Sequence, residues 1–157
     1  MLRILTVLLI TSFTTVMNAQ DSTDDEHMEA YIVIADTSQT YSRLRSKMLS
    51  LSKKLEIKID TMGRGFNSVK KLICLPENDE DELYAGYYFP RRYPSEVLSL
   101  EYLNYYTNDN NSTENTIALV TIITDDKAAA EKNLAKVKKY SKNAFVINVT
   151  LYMGCMH

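Results

Sequence analysis

Seven of the eleven tyrosines (Tyr84, Tyr87, Tyr88, Tyr93, Tyr102, Tyr105 and Tyr106) fall between positions 84 and 106, with Arg91-Arg92 among them. Tyrosine offers a flat face for stacking on a sugar ring and a hydroxyl for hydrogen bonding. Arginine adds a rigid fork matched to carboxylate. Tyr87, Tyr88, Arg91, Arg92 and Tyr93 are therefore the candidate ligand-binding set, suited to a carbohydrate or to a peptide bearing acid groups. The other reading of the same composition is packing, with alternate tyrosines lining a sheet and both arginines in water.

Residues for catalysis are scarce. Apart from the histidines at His27 and His157, which stand near the two ends, there are none, so a Ser-His or Cys-His nucleophile is nearly excluded. His and Cys ligands are too few for zinc, and nothing implies a cofactor. Glu82 and Glu101 could supply the two carboxylates of a glycosidase, but no spacing selects them. The acidic run Asp79-Glu80-Asp81-Glu82 lacks the spaced ligands and turn glycine of a calcium loop and reads as a solvated turn. Cys74 and Cys155 form an even pair that invites a disulfide in an oxidising compartment. Such a bridge would close a loop of about 80 residues and contribute roughly 4 kcal/mol. Two unpaired buried thiols are the alternative.

The N-terminus points to that compartment. Arg3 precedes an apolar run from Ile4 to Met17 and the small residue Ala19, the pattern of a secretory signal over residues 1–19. The run is shorter than the roughly 20 residues of a membrane span, so no span is expected after cleavage and the mature chain is expected to be secreted or periplasmic. Residues 20–29 are polar and acidic and read as a flexible leader. The formal net charge is −2, which argues against nucleic acid as a partner because phosphate recognition needs a concentrated basic surface.

The elements that must position the tyrosines form two similar halves within one domain over 30–157. Tyr31-Ile32-Val33-Ile34-Ala35 is a β-branched run with the profile of a buried strand. Tyr41, Leu44, Met48, Leu51 and Leu55 follow at helical spacing. Glu56 to Asp60 then alternates like a half-exposed strand. In the second half, Ile117 to Ile123 is a strand and Asp125-Asp126 opens a helix with Ala130, Leu134 and Val137 inward. Ala144 to Tyr152 alternates again. A β-α-β unit at 30–60, echoed at 116–152, predicts an α+β, ferredoxin-like split β-α-β fold. Two helices would then pack on one face of a mainly antiparallel sheet. A doubly wound parallel fold would need more strand–helix repeats. An insert at about 61–115 separates the halves and includes a further strand over 97–103 and an Asn-rich hairpin loop after it.

The first strand with its helix, the stretch Asp81-Glu82-Leu83-Tyr84-Ala85-Gly86-Tyr87-Tyr88 with Arg91-Arg92-Tyr93, and the closing Tyr152-Met153-Gly154-Cys155-Met156-His157 resemble SPOR-like domains of secreted and envelope proteins of Bacteroidetes-type bacteria. The resemblance implies a non-catalytic domain that, in many members, binds peptidoglycan glycan strands on an exposed surface. Cell-wall glycan is then the expected partner. An envelope protein, bound by an interaction or structural module, is the alternative. The long insert and Ala35-Asp36, where such domains often carry glycine, depart from the pattern, and no binding residue transfers by motif.

Overall fold

The computed structural model describes residues 26–107 and 115–154. The predicted signal segment and Cys155 lie outside them. Four strands form the main sheet: β1 (His27–Ser38), β4 (Ser99–Tyr102), β5 (Ile117–Thr124) and β6 (Phe145–Tyr152), ordered β4-β5-β1-β6 with every ladder antiparallel. Helix α1 (Tyr41–Leu55) follows β1, and α2 (Lys127–Lys138) joins β5 to β6. A small hairpin, β2 (Gly65–Asn67) with β3 (Leu72–Cys74), belongs to the insert. Each β-α-β unit spans one intervening strand, since β5 lies between β1 and β4, and β1 between β5 and β6. The fold is the predicted α+β arrangement.

Both helices stand on one face of the sheet. Leu44, Met48 and Leu51 of α1 meet Val137 of α2, with Ala35, Leu100, Ile117 and Leu119 beneath them. The apolar spacing read from the sequence accounts for both helices, and Asp126 caps α2 by accepting the Ala128 amide at 2.8 Å. Asn133, buried on α2, accepts from the Thr121 hydroxyl at 2.6 Å and donates to Glu96 at 3.2 Å. A buried amide needs such partners.

Three boundaries differ from expectation. Strand β1 begins at His27, so residues 27–29 are not leader. Their backbone is held by pairing with β6, His27 against Tyr152 and Glu29 against Thr150. Residues 56–60 are not a sheet strand. They make one parallel bridge, Ile59 to Leu98, because the place beside β5 is taken by β4. The second strand of the first unit is therefore Ser99–Tyr102, and the insert lies between α1 and β4 rather than between two completed halves.

The second face of the sheet is covered over its two central strands, β1 and β5. Ala30, Ile32, Ile34, Ala118, Val120 and Ile123 are fully buried and pack with Tyr106, Leu103 and Met153. A ligand cannot lie across the middle of this sheet.

Candidate functional site

The insert is organised around a buried carboxylate. Glu101 on β4 is fully buried and receives Arg64 through two hydrogen bonds of 2.6 and 2.8 Å. The Tyr88 hydroxyl donates to it at 2.7 Å and the Arg91 backbone amide at 3.2 Å. Burial pushes the Glu101 carboxyl up, but the Arg64 hydrogen bonds and charge outweigh it and hold the group below the usual carboxylate range. Burial, with the charge of Glu101, pushes the Tyr88 and Tyr106 phenols well above their ordinary value. Both oxygens of Glu101 are thus engaged, while Glu82 is exposed on the surface. The two do not face each other across a cleft as a glycosidase pair must.

Around this ion pair stand the tyrosines. Tyr88 packs edge-on against Tyr102, with centroids 4.8 Å apart, and tilted against Tyr105 at 4.9 Å. The Arg64 guanidinium lies over the Tyr88 ring at 5.1 Å. Tyr88 also accepts the Tyr102 amide at 3.1 Å, and the Tyr102 hydroxyl accepts the Ile73 amide at 2.8 Å. These rings and hydroxyls form a fixed wall. In front of it opens a cleft of about 420 Å³ lined by Leu72, Tyr87, Tyr88, Tyr102, Asn104, Tyr105 and Asn115. Tyr87 is 66 % exposed and Tyr105 54 %.

Local backbone sets Tyr87 in place. Gly86 adopts φ 74°, a conformation that disfavours any side chain, and an added Cβ would collide with the Glu77 carboxylate. The Gly86 amide donates to Pro76 at 3.0 Å, and Tyr87 accepts the Leu75 amide at 3.0 Å. Asp79 and Asp81 accept amides two residues on, from Asp81 and Leu83, so the acidic run is turn structure, as its sequence suggests.

The structure divides the five predicted ligand residues. Tyr87 and Tyr88 line the cleft. Arg91 and Arg92 are only 3 % and 7 % exposed, which corrects the picture of a surface fork. Arg91 donates to the carbonyl of Val97 at 2.9 Å and to the Ser99 hydroxyl at 2.8 Å, fastening the loop before β4. Arg92 donates to the carbonyls of Tyr152 and Gly154 at 2.8 and 3.0 Å, and Phe89, Tyr93 and Tyr152 rings surround it. Tyr93 is exposed beside Arg92, away from the cleft. Sequence reasoning passed over Tyr105, Asn104 and Asn115. The first two sit in the tyrosine run and could have been chosen, whereas nothing local marks Asn115 or Arg64. Cys74 is buried and has no disulfide partner among the described residues, and Cys155, with which the sequence would pair it, lies outside them.

No protein-family model, curated protein or solved structure matches this chain.

Proposed function

We propose that this chain is a non-catalytic, SPOR-like glycan-binding domain of the cell envelope, and that it takes the glycan strand of peptidoglycan by its sugar faces in the tyrosine cleft. The observation that carries the reading is the cleft's makeup. Two exposed aromatic rings, Tyr87 and Tyr105, stand over a rigid tyrosine wall, with the amides of Asn104 and Asn115 at its rim. Sugar rings present apolar faces that stack on aromatics and hydroxyls that pair with amides. With Arg91 and Arg92 engaged internally, acid groups of the ligand have no fork to meet, so the glycan rather than the peptide stems is the ligand. The predicted signal at residues 1–19 accords with a site of action outside the cytoplasm.

Retention on purified sacculi tests the proposal. Wild-type protein should be retained, and it should also bind glycan strands stripped of their peptides. Tyr87→Ala and Tyr105→Ala should each weaken binding by roughly three- to tenfold, the worth of one stacking contact, without loss of fold. Retention unaltered in the double variant would sink the assignment. Retention lost on stripping the peptides would move the ligand from sugar to peptide.

A further inference from the structure

The two edges of the main sheet are built differently. The β4 edge is short and covered: Leu98 exchanges hydrogen bonds with Lys58 and Asp60, and the Tyr102 amide donates to Tyr88. The β6 edge is eight residues long, Phe-Val-Ile-Asn-Val-Thr-Leu-Tyr, with no charge, proline or bulge against β1. Proteins ordinarily blunt such an edge with one of those devices. Phe145, Val146 and Tyr152 are exposed along it.

The register shows which backbone groups this edge presents. The Met153 amide donates to the carbonyl of Glu26, the residue before β1, at 2.6 Å. Antiparallel ladders alternate, so Phe145, Ile147, Val149 and Leu151 also turn their peptide groups toward β1. Val146, Asn148, Thr150 and Tyr152 turn theirs outward. Arg92 occupies the Tyr152 carbonyl, which closes that end. The outward groups left are the amides and carbonyls of Val146, Asn148 and Thr150, and among the described residues none has a backbone partner.

That set is symmetric about Asn148. The geometry points to β6 as the seat of a two-fold contact with a second copy of this chain, joining two four-stranded sheets into one of eight. With the axis at Asn148, Val146 of one copy pairs with Thr150 of the other, Asn148 with Asn148, and Thr150 with Val146. All six outward groups are then used in six hydrogen bonds. The same register sets Ile147 against Val149 and Phe145 against Leu151, so apolar residues on one face meet apolar residues. No like charges oppose each other, as an isologous contact requires. A partner of opposite charge has nothing to recognise on this strand. The ladder is smaller than an obligate interface, so the dimer is reversible and concentration-dependent. This inference rests on β6 alone and is independent of the tyrosine cleft.

The full-length chain, expressed with its own N-terminus, should sediment as a monomer–dimer mixture. Asn148→Pro removes an amide that faces away from β1, where proline is tolerated in an edge strand. Asn148→Lys sets two positive charges against each other on the axis. Both variants should dissociate at least roughly tenfold more readily than wild type, with unchanged circular dichroism. In the dimer, the amides of Val146, Asn148 and Thr150 should be protected from hydrogen exchange, and dilution should release them. A chain that stays monomeric up to about 1 mM would overturn the inference. So would a dimer indifferent to both substitutions, or one in which those three amides exchange freely. A monomer whose three amides become protected only by another protein's extended segment would assign the edge to that protein instead.

Discussion

Glu101 and Arg64 hold the tyrosine wall together, and removing one partner exposes what the other costs. Glu101→Gln leaves the buried Arg64 guanidinium without its countercharge and is expected to destabilise the fold by about 3–5 kcal/mol. The double variant Glu101→Gln with Arg64→Met should recover much of that loss, which urea denaturation of the three proteins would measure. A double variant as unstable as Glu101→Gln would mean that the charges were not what mattered. The same carboxylate gives a pH dependence. Glu101 and Asp36 both titrate below their ordinary values in the fold: burial opposes this, and Arg64 and Lys47 respectively overcome it. Between the folded and unfolded values the unfolded chain binds more protons, so stability rises with pH there. It is intact above about pH 4.5 and is lost as pH falls through the depressed folded values. Thermal melts between pH 7 and 3 should show the decline, with a shallower slope for Glu101→Gln. At this scale the sequence misled about Arg91 and Arg92. Two adjacent arginines read as a surface feature, and nothing nearby announces partners such as Tyr152, whose carbonyl lies 60 positions away.

At the scale of elements, regular periodicity was legible and exceptions were not. The helical spacing of Tyr41 to Leu55 and the apolar run of Ile117 to Ile123 correspond to α1 and β5. In each, side-chain pattern alone requires one buried face or two. Residues 56–60 alternate just as well, yet they form a single bridge, because alternation reports a half-buried chain and not a place in a sheet. The turn that ends α1 explains part of this. Glu56 takes the left-handed conformation at φ 57°, and the Ser52 hydroxyl donates to the Ile57 carbonyl at 2.7 Å, so the chain leaves the helix in a fixed direction. Glycine carries no penalty in that conformation. Glu56→Gly should therefore stabilise the protein by up to about 1 kcal/mol. Gly86→Ala should do the reverse by a similar amount and also weaken glycan retention, because Tyr87 follows it directly. Equal stability of Glu56→Gly and wild type would show that the αL residue is not strained.

For the whole molecule, the insert adds a tyrosine cleft to a sheet-and-helix frame, so that the proposed recognition site lies off the sheet. The second sheet face is covered over its central strands by Leu103, Tyr106 and Met153. The site proposed for binding is the tyrosine cleft beside β4, and β6, at the opposite edge, has no further strand beside it among the described residues. Pairing through β6 would leave both clefts free at the two far ends of an eight-stranded sheet. A glycan polymer could then engage two clefts at once, and the second contact gains from high effective concentration, by as much as 10²–10⁴-fold where the geometry permits. A short oligosaccharide that fills one cleft gains nothing. Asn148→Lys should accordingly lower retention on intact sacculi by at least about tenfold while leaving the affinity for a short glycan, measured by calorimetry, unchanged. Tyr105→Ala should lower both. Equal losses of Asn148→Lys on polymer and oligomer would show that β6 touches the ligand itself, and no loss on the polymer would separate pairing from binding altogether.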